Sequence, residues 1–157
     1  MKSIAQIVCE HPFFEGLDTE FCDLMCGCAR NVRFNAGEYL FHQGDDADYL
    51  YLVRHGQVAL ELAVPGKAPV RFQTLHDGDV VGISWILPPY HWACDARAIG
   101  LTRAIAMDAH CLRNKCDQDP ALGYAVLNRL LPILAGRLHA TQMQILDVYG
   151  APEGPAG

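Results

Sequence analysis

The sequence predicts a mainly β domain with flanking α-helices: a small barrel or sandwich of antiparallel strands, followed by a long C-terminal helix. Two observations carry this. Between Phe34 and Asp108, short apolar runs alternate with Gly- and Asp-rich breaks, the rhythm of antiparallel strands. From Asp119 onward, apolar residues recur at heptad spacing to about Tyr149. A third observation sets the scale: 157 residues suffice for one domain with a real core.

Composition narrows the function classes. With 51% hydrophobic and 19% charged residues, the chain has the balance of a globular protein. A formal charge of −6 argues against a nucleic-acid partner, because a polyanion needs a basic face. No apolar run reaches the ~18 residues of a membrane span. The segment Met1–Val8 turns polar too soon for a signal peptide. A cytoplasmic location without membrane contact is expected. Seven cysteines, odd in number and irregular in spacing, suit free thiols in a reducing compartment better than a disulfide framework.

In chain order, residues 4–10 suit a short helix ended by Pro12. Asp18 caps a helix over about 19–29, with Phe21, Cys22, Met25 and Cys28 or Ala29 on one face and Gly27 weakening its end. Strands follow at about 31–34, 38–41, 48–54, 56–63, 70–75, 79–82, 93–99 and 102–107. In Tyr49–Val53 both faces are apolar, so that strand is central. Asn35-Ala36-Gly37, Arg54-His55-Gly56, Val64-Pro65-Gly66-Lys67 and Asp77-Gly78-Asp79 are turns.

A helix over 109–116 leads to a second one, capped by Asp119 with Pro120 at its first position. Along it Tyr124, Leu127, Leu131, Leu134, Leu138, Thr141, Ile145 and Val148 form a seam, and Val126, Leu130 and Ile133 form another stripe. One stripe is expected to pack on the chain's own barrel. The seam is expected to pack on a second copy, giving a homodimer through Leu127, Leu131, Leu134, Leu138 and Ile145. Pro132 is expected to bend the helix. The Gly/Pro/Ala-rich tail 150–157 is expected to be disordered.

Specific residues carry a family resemblance. They are His11-Pro12-Phe13-Phe14-Glu15-Gly16-Leu17, the run Val32–Asp48, Leu50–Val58, and Asp77-Gly78-Asp79-Val80-Val81-Gly82. With these the chain resembles the cyclic nucleotide-binding domain of the cyclic-AMP-receptor and FNR-type regulators over about residues 11–148. The resemblance implies an eight-stranded jelly-roll barrel and a dimer along the C-terminal helix. Within a domain spanning 1–149, it implies N-terminal helices over 1–30, the barrel over 31–108 and C-terminal helices over 109–149. In the regulators a helix-turn-helix follows; this sequence ends at Gly157, so a sensor without that output is expected.

The resemblance also locates a phosphate cassette. Family members that bind cyclic AMP or GMP use Gly-Glu-Leu/Ile-Ala/Gly-Leu, a short helix, then Arg-Ser/Thr-Ala. Backbone N–H groups cradle the phosphate, the Arg forks onto it, and the Glu accepts from the ribose hydroxyl. Here Gly82 is kept, but Ile83 replaces the Glu and Trp92 (or His91, with a slip of one) replaces the Arg. Asp95 stands where a neutral Ser or Thr belongs, and Arg97 lies outside the cassette. Losing two charged contacts, each worth about 1.5–3 kcal/mol, removes ordinary cyclic-AMP binding. The candidate ligand-binding residues are Gly82, Ile83, Ser84, Trp85, His91, Trp92 and Ala93, with Trp85, Tyr90 and Trp92 able to stack on a flat ring. The plainer alternative is that Trp85-Ile86-Leu87 closes the barrel mouth by packing.

Other chemistry is weaker. Cys9, Cys22, Cys26 and Cys28 gather near the N-terminus, but Cys22 and Cys28 fall on apolar helix positions and the spacing fits no cluster motif. Cys111 and Cys116, five apart, are badly placed for joint ligation. Asp45, Asp46 and Asp48 read as a solvated turn. No Ser/His/Asp order, nucleophile elbow or P-loop is present. No enzyme activity and no metal are expected. The first functional reading is a small regulatory sensor with a non-standard cassette for a cyclic nucleotide or other small ligand, acting through a partner protein. The second is a barrel that has lost ligand binding and serves as an interaction or assembly module. A cysteine-based redox or metal sensor is the third.

Overall fold

The computed structural model describes residues 2–150. Two short helices, α1 (Ile4–Glu10) and α2 (Thr19–Cys26), flank a 3-10 turn at Pro12–Phe14. Eight strands follow: β1 (Ala29–Phe34), β2 (Tyr39–Phe41), β3 (Tyr49–His55), β4 (Val58–Leu62), β5 (Val70–Leu75), β6 (Val80–Val81), β7 (Asp95–Ala98) and β8 (Thr102–Asp108). Helices α3 (Ala109–Gln118) and α4 (Pro120–Tyr149) complete the chain. The expected tail lies outside the described residues, apart from Gly150, the C-cap of α4.

The strands form two antiparallel four-stranded sheets, β1-β8-β3-β6 and β2-β7-β4-β5. This is the jelly-roll arrangement as two facing sheets; hydrogen bonding does not close them into a continuous barrel. Leu50, Leu52, Ile105 and Met107 from one sheet, and Val58, Leu60, Ala96 and Ala98 from the other, are buried in one core. Strand β3 lies between β8 and β6 and buries Leu50 through Val53, as its two apolar faces require. The chain changes sheet at Gly56. There φ is +114°, and an added Cβ would lie 2.8 Å from the Leu101 carbonyl, so only glycine fits. In the second sheet Arg97 on β7 donates to Glu61 on β4 at 2.8 and 3.2 Å. This fork holds the nearly buried Glu61 carboxyl below the usual carboxylate range.

Two expectations need correction. The second helix ends at Cys26, and β1 begins at Ala29 rather than 31, because Ala29 pairs with Met107 of β8. The cysteines are not all free. Cys9 bonds Cys22, and Cys28 bonds Cys111 across 83 residues. Packing of α1 on α2 and of the α2–β1 junction on α3 brings these sulfurs together, which linear spacing cannot show. The cysteine count is therefore no argument for a reducing compartment. Among the described residues no helix is long and apolar enough to cross a membrane.

His11 joins the N-terminal helices to the sheets. It is 6% exposed. Its Nδ1 accepts from the Phe13 N–H at 3.1 Å, so Nε2 carries the proton and donates to the Val53 carbonyl at 2.8 Å. Burial is the main cause that lowers its pKa below the ordinary 6.5. The unfolded chain thus takes up a proton first as pH falls. The stabilisation is complete above about pH 6.5 and is lost as pH drops through the folded-state value. Thermal unfolding from pH 7.5 to 5.5 should show a falling midpoint in the wild type and a shallower fall in His11→Asn. Parallel curves would mean that His11 is not buried in its neutral form.

Candidate functional site

The cassette segment leaves β6 at Gly82 and returns to β7 at Asp95. Gly82 has φ +78°, and a Cβ there would lie 2.6 Å from Cζ3 of Trp92. The Trp92 ring thus covers the glycine. One face of the ring stacks on Phe41 at 3.7 Å with the planes 6° apart, and Trp92 is 4% exposed. Trp85 is 0% exposed, with its indole N–H unpartnered among the described residues. Its carbonyl accepts from Arg113 on α3 at 2.6 Å. The Arg113 guanidinium also lies 4.1 Å over the ring of Tyr90, a cation–π contact.

The aspartate turn braces this segment. Gly44 and Ala47 N–H groups donate to the carbonyls of Trp92 and Tyr90, and the Trp92 N–H donates to Asp45. His91 is exposed and lies 3.2 Å from Asp46. Asp95 accepts from the Gln43 N–H at 2.7 Å. The sequence-predicted residues are therefore not gathered around one opening. Ile83 and Ser84 are half-buried, Ala93 is exposed, and His91 points into the aspartate turn while Trp92 points into the core. The stacking faces proposed for Trp85, Tyr90 and Trp92 are buried, held by Arg113 and held by Phe41, respectively.

Helix α4 supplies groups that the sequence reading missed. The stripe Val126, Leu130 and Ile133 turns inward, with Val126 and Leu130 fully buried. At the same spacing it continues to Arg137 and Gln144. Arg137 donates to the Val80 carbonyl, and Gln144 donates to the Phe72 carbonyl at 2.8 Å. Burial pulls the Arg137 pKa below the usual guanidinium range, with Asp79 and Cys94 opposing it. Burial pushes the Cys94 thiol up to about 11. A cavity of about 300 Å³ lies between α4 and the sheets, lined by Gln73, Leu75, Asp79, Val80, Ile133 and Arg137. The signal for Arg137 was present in the sequence as a charged residue on an otherwise apolar inward stripe.

The seam faces outward. Leu127, Leu131, Leu134, Leu138 and Ile145 are all exposed, Leu131 by 65%. Beside it an apolar groove of about 390 Å³ runs between the cassette and α4, lined by Ile83, Ile86, Leu87, Leu127, Leu131 and Leu134.

The sequence matches the cyclic nucleotide-binding domain family over residues 31–119. The chain belongs to this family. A "CRP-like cAMP-activated global transcriptional regulator" of Mycobacterium tuberculosis is 24% identical over 143 residues, which is 91% of this chain and 62% of the relative. The chain thus spans less than two thirds of the length of the curated relatives it matches. Among solved structures, the Thermus thermophilus catabolite activator protein superposes with a TM-score of 0.68 at 27% identity, over 88% of this chain and 63% of that one. A cyclic nucleotide-binding domain from Methylobacillus flagellatus KT gives 0.76 at 24% identity, over 92% and 81%. These likenesses agree with the two-sheet jelly roll and the long terminal helix.

The contact of Trp92 with Gly82 and Phe41 makes a sharp prediction. Trp92→Ala should lower stability by about 3–5 kcal/mol, the loss for a buried large aromatic. Chemical denaturation measures it. A change below about 1 kcal/mol would show Trp92 to be a surface ring and not part of the core.

Proposed function

We propose that this chain is a regulatory module of the cyclic nucleotide-binding fold whose cassette is closed by its own side chains. In this reading it works without catalysis, pairing through α4 and acting on a partner protein. The observation that supports it is the Trp92 ring packed over Gly82. A cyclic phosphate resting on the N–H groups after that glycine would meet the indole, and neither Ile83 nor Trp92 offers a charge to hold it.

A second reading keeps a ligand. Arg137 places a buried guanidinium on the wall of the cavity beneath α4, and the regulatory relatives include a cAMP-activated protein. An anion reaching Arg137 would compete with the Val80 carbonyl and loosen α4.

Calorimetric titration with cyclic AMP, cyclic GMP and cyclic dinucleotides separates the two. No heat up to millimolar ligand is expected. Micromolar binding that disappears in Arg137→Ala would replace the closed-cassette reading with the second one.

The pairing is tested separately. The outward seam leaves Leu127, Leu131, Leu134 and Leu138 in water, a row that a second α4 can bury by knobs-into-holes packing. Sedimentation velocity should show a dimer for the wild type and a monomer for a Leu131→Asp/Leu138→Asp double variant with unchanged helical circular dichroism. A monomeric wild type at high micromolar concentration would exclude the α4 pair.

A further inference from the structure

Three sulfurs meet where α1 crosses α2. Cys22 and Cys26 lie one turn apart on the same face of α2, and Cys9 comes from the last turn of α1. All three Sγ atoms lie within 4.8 Å of one another. Cys9 is bonded to Cys22, while Cys26 Sγ stands 3.8 Å from Cys9 Sγ. Neither the closed cassette nor the α4 seam uses this cluster.

We infer that Cys9, Cys22 and Cys26 form a three-thiolate site for a soft, closed-shell monovalent cation of the Cu(I) class, available when the Cys9–Cys22 bond is reduced. Geometry carries the inference. A thiolate–metal bond of about 2.3 Å places three sulfurs in a plane about 4 Å apart. Cys26 and Cys9 already stand at nearly that separation. Reduction of the Cys9–Cys22 bond lets its two sulfurs separate toward the same spacing by side-chain rotation.

The donor set selects the ion. Thiolates favour soft metals. Among the described residues no histidine or carboxylate joins the three sulfurs. A structural Zn(II) site takes four ligands and an iron–sulfur cluster takes four cysteines, so three sulfurs leave both incomplete. A d10 monovalent cation is satisfied by three. The surroundings fit a cation as well. The site sits at the C-terminal end of α2, where the helix dipole places partial negative charge. Lys115, which donates to the Leu24 carbonyl, brings a positive charge near Cys26, and Asp23 brings an opposing negative one.

The chemistry balances in two steps. A dithiol or phosphine reductant delivers two electrons to the Cys9–Cys22 bond. The dithiol leaves as its own disulfide and gives one proton to each sulfur; a phosphine leaves as its oxide, with the oxygen and both protons taken from one water. Cu(I) then binds all three sulfurs and displaces three thiol protons to water.

The test uses the full chain without oxygen, reduced with a phosphine that is then removed. Cu(I) is supplied as its coloured bicinchoninate complex. Reduced wild type should withdraw one equivalent, and unreduced protein none. Cys26→Ser, checked for fold by circular dichroism, should bind at least tenfold more weakly. Cys94→Ser, Cys116→Ser and Cys111→Ser should bind like the wild type. Retention of Cu(I) by the competitor, full-strength binding by Cys26→Ser, an equal loss in Cys111→Ser, or stoichiometric capture of Zn(II) in preference to Cu(I) would overturn the assignment.

Discussion

The stack of Trp92 between Phe41 and Gly82 governs the cassette. Phe41 ends β2 in one sheet, and Gly82 follows β6 in the other, so the indole joins both sheets at the mouth of the jelly roll. Glycine is required because a Cβ would enter the ring. With Trp92 fixed inward, its neighbour His91 must face outward, as alternation along extended chain dictates, and it finds Asp46. Tyr90 and Trp92 then lock onto the 44–47 turn through backbone bonds. Trp92 is thus a core residue, and the surrounding loop takes its shape from it.

Much of the architecture was legible because it depends on local periodicity. Each of the eight strands overlaps the segment its apolar run marks out, with β1 starting two residues early, and the two stripes of α4 divide as inward and outward faces. The capping of α4 was readable too, since Asp119 accepts from the N–H groups of Ala121 and Leu122. What was not legible depends on distance in space. The Cys28–Cys111 pairing spans 83 residues. Two separate sheets differ from a closed barrel only in which edges bond. The inward fate of Trp92 rests on Phe41, contributed by another strand. Arg137 and Gln144 could have been read by extending the inward stripe beyond its last apolar member; a count of hydrophobic residues alone stops at Ile133.

These contacts grade α4 along its length. Its first half is anchored by buried Leu122, Val126 and Leu130. Its second half is held by two polar links, Arg137 to Val80 and Gln144 to Phe72, each using a backbone carbonyl. Such carbonyl contacts carry about 1 kcal/mol apiece, somewhat more from a guanidinium, far less than an apolar seam. The distal half is therefore the part whose position a partner or ligand can reset at small energetic cost, while the proximal half stays with the core.

The Cys28–Cys111 bridge has a topological consequence. Every strand from Ala29 to Asp108 lies between its two ends, so the entire β portion is one covalent ring with α1 and α2 on one arm and α4 on the other. On a chain-entropy account, closing a ring of this size destabilises the unfolded ensemble by about 4.5 kcal/mol at 25 °C. A single backbone cut anywhere within the ring would leave both arms covalently attached, so the oxidised molecule would stay one covalent piece after nicking, heavier by the one water added, and the reduced one would come apart once denatured.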